Sequence, residues 1–71
     1  MKFKDFIEAY DDWKDAININ NNDLERIISC CNVAELTFHD GILFNEYKKL
    51  MDKEVISFGF WEGELYVRLD V

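Results

Sequence analysis

The residues nearest to a reactive set in this chain are Cys30-Cys31, followed by His39-Asp40. Zinc sites draw paired ligands from spacings such as C-x2-C, which let both thiolates reach one ion. Adjacent cysteines on a strand point to opposite faces, which spoils that geometry. A nucleophilic cysteine needs an activating base and an orienting third group in a cleft. His39 lies close enough in sequence to serve Cys31, but no elbow motif or glycine-built oxyanion loop accompanies the pair. The glycines stand alone at 41, 59 and 63, so there is no phosphate-cradling loop. The plainer assignments are one core thiol with its neighbour, and a loop histidine beside Asp40-Gly41. Acid–base catalysis requires a carboxyl that is desolvated and raised in pKa, and nothing in the pattern marks one. The chain reads as a non-enzyme that needs neither metal nor cofactor.

Two other groups of residues point to binding. The first is a run of carboxylates, Asp5, Glu8, Asp11, Asp12 and Asp15. On a helix rising ~1.5 Å per residue they recur every ~4.5–6 Å, of the order of the phosphate spacing in a nucleic-acid strand. Such a stripe is either a solvated helix face or a decoy for basic protein grooves, and Lys2, Lys4 and Lys14 dilute it. The second group is Trp61 with Glu62 and Glu64, joined by Tyr66. Tryptophan and tyrosine are favoured anchors of protein interfaces. They act here only if no other part of the molecule covers them.

The elements that hold these groups follow from periodicity. Residues 2–12 read as an amphipathic helix with Phe3, Phe6, Ile7 and Tyr10 on one stripe. Ala16-Ile-Asn-Ile-Asn20 alternates as a half-buried strand with Ile17 and Ile19 inward, and Asn20–Asp23 is a turn. Residues 24–30 admit two readings. As a helix, Leu24, Ile27, Ile28 and Cys31 share a face. As a strand, the segment pairs back on 16–20. Strand is preferred because a lone five-residue strand with a polar turn needs a neighbour. Asn32 caps a short helical segment, Val33–Leu36, with Glu35 three residues on. Residues 42–51 form a second helix with Leu43, Tyr47, Leu50 and Met51 inward.

The seventeen residues from Glu54 to Asp70 spell a β-hairpin. With Glu62-Gly63 as a two-residue turn, Trp61 faces Glu64, Phe60 faces Leu65, Phe58 faces Val67 and Ile56 faces Leu69. Those apolar pairs share the core face, and Gly59/Tyr66, Ser57/Arg68 and Val55/Asp70 share the other. A three-residue loop would set Phe60 against Glu64, so the two-residue turn is preferred. Glu62 is strained at the positive φ a type I′ turn requires. Gly59 either bulges the strand or leaves room for the Tyr66 ring. The expected fold is α+β, a single domain spanning 1–71 in the order α-β-β-α-β-β, with helices on one face of a small antiparallel sheet.

Composition sets the outer bounds. Seventy-one residues lie near the lower limit for a self-sufficient core, but eleven aromatic rings supply apolar area out of proportion to that length. No proline and only three glycines argue against disorder, and no apolar run is long enough to span a membrane. Two adjacent cysteines are no disulfide framework, so a reducing cytoplasm is the expected location. A net charge of −7 repels nucleic acid and anionic membranes, and directs the chain toward basic protein surfaces.

With that pattern assembled, the chain resembles a diffuse set of short acidic proteins from phages and integrative elements of Gram-positive bacteria. The residues that carry the likeness are Phe3-Lys-Asp-Phe-Ile-Glu-Ala-Tyr10 and the closing strand pair Asp52 to Leu69, with Phe38–Phe44 matching less well. Some proteins of this sort inhibit host defence, anti-CRISPR proteins among them. The resemblance implies a stoichiometric inhibitor whose partner is a CRISPR effector or another nuclease in a bacterial host, and it carries over no active site. The expected partner-binding residues are Asp5, Glu8, Asp11, Asp12, Asp15, Trp61, Glu62, Glu64 and Tyr66. The alternative is a module that self-associates, as a homodimer, through a strand edge or the Trp61/Tyr66 face.

Overall fold

Phe3, Phe6 and Ile7 are buried, and the stripe they form is the inner face of α1 (Phe3–Ala9). The helix stops short of the expected residue 12. Tyr10 is already extended, with φ −84° and ψ 117°, and its N–H donates to the Ile7 carbonyl. The last turn contains no basic residue, and Glu8, Asp11 and Asp12 would all crowd the negative end of the helix dipole. At the other end, the N–H groups of Phe3 and Lys4 donate to the carbonyls of Lys53 (2.8 Å) and Met51 (3.0 Å). The tertiary structure thus satisfies donors that a helix start leaves unpaired. This computed structural model describes residues 1–41 and 43–71.

β1 (Ile17–Asn20) and β2 (Arg26–Cys30) pair antiparallel through the asparagine turn, so the strand reading of this segment holds. The turn is built by one side chain: Asn21 Oδ1 accepts from the N–H of Asp23 and of Glu25, both at 2.9 Å. Ile19 faces Ile28 while Asn20 faces Arg26, so Ile27 is the extra residue of a bulge. The helical face proposed for Leu24, Ile27, Ile28 and Cys31 does not exist, since only Ile28 of these is buried.

Asn32 Oδ1 accepts from the Glu35 N–H at 3.0 Å and so starts α2 (Ala34–Thr37), as the capping pattern implies. α3 (Phe44–Leu50) buries Tyr47 and Leu50, with Leu43 and Met51 packed at its flanks. The expected helix began at Ile42, which lies outside the described residues.

β3 (Val55–Trp61) and β4 (Glu64–Leu69) form the hairpin in the expected register from Ser57/Arg68 to Trp61/Glu64. Glu62 and Gly63 both take left-handed angles, φ 52° and 80°. Two details differ from expectation. Val55, not Ile56, faces Leu69, so the bulge lies at Ile56 and the ladder at Gly59 is regular. A Cβ at Gly59 would meet nothing within 4 Å, so the glycine makes no room for Tyr66.

The strand order is β2-β1-β4-β3. The sheet is mostly antiparallel, but its central ladder is parallel, with Ile17 beside Leu65 and Ile19 beside Val67. The chain crosses from the first hairpin to the second by way of α2 and α3, as a parallel pair requires. The core lies between the helices and one sheet face: Phe3, Ile7, Val33 and Leu36 meet Ile17, Ile19, Leu65, Val67 and Leu69, all of them at most 1% exposed. Ile56, Phe58 and Phe60 were expected to share that burial. They are instead 40%, 63% and 58% exposed. β3 is an edge strand, met by Phe6 of α1 against Phe58 (ring centroids 4.8 Å apart) and by Tyr10, just past the helix, against Phe60 (6.2 Å).

Candidate functional site

Strand alternation sends Trp61, Glu64, Tyr66 and Arg68 to the sheet face opposite the helices. The core cluster lies on the other face; on this one Trp61 is exposed, Glu64, Tyr66 and Arg68 are half-buried and Asn18 is buried. Trp61 is 65% exposed and inclines against Tyr66, their ring centroids 6.2 Å apart. Because β1 lies beside β4, Asn18 stands next to Tyr66 and Ser29 stands next to Asn18. Ser29 Oγ donates to Asn18 Oδ1 at 2.8 Å, and Asn18 Nδ2 donates to Glu64 Oε1 at 3.1 Å. Asn18 is buried, so this chain of hydrogen bonds satisfies an amide that would otherwise be costly to bury. It also holds the Glu64 carboxylate at a set position beside the aromatic pair. Arg68 completes the patch, its Nε buried without a hydrogen-bond acceptor.

The structure therefore brings together Trp61, Glu64 and Tyr66, with Glu62 exposed at the turn beside them. Asn18 and Ser29 belong to the same surface and were not anticipated. The alternation of Ile17 and Ile19 puts Asn18 on the outer face, but only the parallel β1–β4 ladder places it against Tyr66.

The carboxylate run is not brought together as one stripe. Asp5 and Glu8 are exposed on α1, whereas Asp11 and Asp12 lie in the turn that follows it. Asp15 is engaged by the Tyr10 hydroxyl, which donates to its Oδ2. Partial burial, that hydrogen bond and the charges of Asp15 and Asp12 together push the Tyr10 phenol well above its ordinary range. A regular carboxylate ladder mimicking a phosphate backbone is therefore not what this helix presents. The acidity is spread over the surface instead. Of all the carboxylate residues, only Asp15 and Glu64 are partly withdrawn from solvent. Among the described residues the ion pairs are the N-terminal ammonium with Glu54 (2.9 Å) and Lys49 with Glu46 (3.4 Å).

Cys30 donates to the Asn32 carbonyl at 3.3 Å, and burial, reinforced by Glu35, pushes its thiol up to about 11. That is the opposite of the lowered value that makes a cysteine a nucleophile. The His39 ring packs on Phe44, centroids 4.7 Å apart. Among the described residues no three His, Cys, Asp or Glu side chains converge as metal ligands. A cleft of about 510 Å³ opens between α2 and the start of α3, lined by Asn32, Ala34, Glu35, Phe38, Gly41 and Leu43. Glu35 is the one ionisable side chain among its described lining residues. No described helix is long and apolar enough to cross a membrane. Comparison with protein-family models, with curated proteins and with solved structures found no match to this chain.

Proposed function

We propose that this protein is a non-enzymatic inhibitor that docks on the basic nucleic-acid groove of a host-defence nuclease in the cytoplasm of a bacterial cell. The observation that carries the reading is the exposed Trp61 packed on a half-buried Tyr66, flanked by Glu62 and by a Glu64 carboxylate held in place by Asn18. An exposed tryptophan backed by a tyrosine is the kind of anchor that protein interfaces favour. The acids around it select basic surfaces by charge and speed the encounter, an effect that weakens as salt screens it. The net charge of −7, scarcely paired internally, acts in the same direction. The scattered carboxylates steer the encounter, and the hairpin supplies the contact.

The test is capture from a bacterial lysate at low salt, followed by a nuclease assay with the purified partner. The wild-type protein should retain a nucleic-acid enzyme and inhibit it near one-to-one stoichiometry. Trp61→Ala should weaken inhibition by roughly thirtyfold, or about 2 kcal/mol, the usual cost of losing an interface anchor. Reversal of Asp5, Glu8 and Asp12 to lysine should slow association and flatten its salt dependence without abolishing inhibition. If no nucleic-acid enzyme is retained at low salt, the proposal fails.

A further inference from the structure

The two edges of the sheet are treated differently. β2 is short, bulged at Ile27 and carries Arg26, all devices that discourage a further strand. β3 has none of these over its last five residues: Ser57 to Trp61 contain no charge and no proline, and every one is exposed. In a hairpin closed by a two-residue turn, the closing pair Trp61/Glu64 exchanges both backbone hydrogen bonds, and the pattern alternates from there. Gly59 and Ser57 are then committed to Tyr66 and Arg68, while the N–H and C=O of Phe58 and Phe60 point to the open side. The lower end of the strand is already occupied, because the Val55 N–H donates to the Met1 carbonyl at 2.8 Å and Lys2 bridges Glu54.

Below this edge, between β3 and α1, runs a groove of about 270 Å³ lined by Met1, Phe6, Ala9, Tyr10 and Phe58. Asp5 precedes Ala9 by four residues and so lies on the same side of α1. Glu62 is exposed at the turn end of the strand, whereas Glu54 at the other end is already ion-paired with the N-terminal ammonium. The feature is thus a free strand edge with an apolar trough on one side and carboxylates at its turn end and rim.

We propose that the outer edge of β3 takes an extended segment of a basic partner protein as a fifth strand, with alternate apolar side chains in the groove and lysine or arginine at its ends. Backbone bonds to Phe58 and Phe60 supply the attachment, the trough reads every second side chain, and Glu62 and Asp5 complement the flanking charges. A second copy of this chain is a poor occupant. Antiparallel self-pairing centred on Phe58 sets the Glu62-Gly63 turn of one copy against Glu54 and Lys53 of the other, and centring on Gly59 sets it against Ile56 and Val55. Either register drives the turn of one copy into the Met1–Lys2 segment that already pairs with the other. The choice of a basic partner rests on the functional reading above. The edge itself does not.

The experiment uses a blocked ten-residue peptide of alternating valine and threonine with two lysines at each end. Its controls are the same peptide with glutamates at the ends and one N-methylated at alternate valines. Amide hydrogen exchange of the full chain is followed by NMR. The lysine-ended peptide should slow exchange at Phe58 and Phe60 by roughly tenfold, the scale of a newly closed hydrogen bond. The glutamate-ended peptide should need a roughly tenfold higher concentration for the same effect, and the N-methylated one should give none. Phe60→Pro removes an outward N–H without breaking the β4 ladder, and should abolish the response while the spectrum stays dispersed. Unchanged exchange at Phe58 and Phe60 at millimolar peptide overturns the proposal. So does protection that grows with protein concentration in the absence of peptide, which would assign the edge to a second copy. Capture of a nuclease alongside an inert edge would remove this inference and leave the inhibitor reading intact. A responsive edge with no nuclease retained would do the reverse.

Discussion

Leu24 and Glu62 hold backbone angles that a side chain makes unfavourable, with φ of 65° and 52°. A left-handed residue other than glycine or asparagine is strained by roughly 1–2 kcal/mol, because its Cβ crowds the following carbonyl. Leu24 is also 66% exposed and contributes little packing in return. Leu24→Asn and Glu62→Asn should therefore each stabilise the protein by about 0.5–1 kcal/mol. Urea unfolding should show the midpoint rise with an unchanged slope; a fall at either position would mean that its side chain makes a contact worth more than the strain. Glu62→Asn has a second use, since it separates folding from binding: the hairpin becomes more stable while one carboxylate is lost from the proposed contact. Of the two, only Glu62 was legible as strained, because the hairpin register demands a type I′ turn at Glu62-Gly63. Leu24 gave no such signal, because its angle follows from Asn21 capturing the N–H groups of Asp23 and Glu25.

At the scale of elements, β3 and β4 carry apolar residues in one alternating pattern yet differ in what covers them. Leu65 is fully buried, whereas its cross-strand partner Phe60 is 58% exposed. Leu65→Ala should destabilise by about 2–5 kcal/mol, the range for truncating a core leucine. That is a large part of the roughly 4–10 kcal/mol expected of a domain this size. Phe60→Ser should cost under about 1 kcal/mol, because most of its ring area is never taken from water. Comparable losses at the two positions, measured by chemical denaturation, would mean that α1 covers the edge strand after all. The hairpin register could be read from the chain because it depends on residues near in sequence. Coverage could not, because it depends on which strand lies at the edge and how far α1 extends.

For the molecule as a whole, pH dependence follows from a few shifted groups. Burial, with Glu35 adding to it, pushes the Cys30 thiol from 9.0 up to about 11. Burial also raises Tyr47, with help from Glu8 and Asp5, and raises Tyr10, with help from Asp15. Each of these acids holds its proton more tightly when folded, so the unfolded chain ionises first. Their stabilisation is complete below the unfolded thiol value of 9.0 and declines as pH rises from there. Glu54 acts in the other direction. The N-terminal ammonium lowers it from 4.5, so its contribution is present above that value and lost as pH falls through the lowered one. Unfolding free energy, followed by circular dichroism in urea, should be nearly flat between these limits and fall above pH 9. In Cys30→Ala the fall should begin later, near the ordinary tyrosine value of 10.0. Constant stability up to pH 11 would show that these groups titrate alike in the folded and unfolded chain.

By itself the sequence determined whatever rests on neighbours along the chain. The stripe of Phe3, Phe6 and Ile7, the Asn32 cap, the asparagine turn and the pairing of Trp61 with Glu64 all follow from local spacing and backbone sterics. Net charge, likewise additive over residues, is read from the chain alone. The tertiary structure alone decided what depends on residues far apart in the chain. It put β1 parallel to β4, which brought Asn18 and Ser29 to Glu64 and Tyr66. It also left β3 at the edge, with Trp61 exposed. Alternation tells which way a side chain points, but whether it meets a helix, a strand or water depends on long-range pairing that no local pattern encodes.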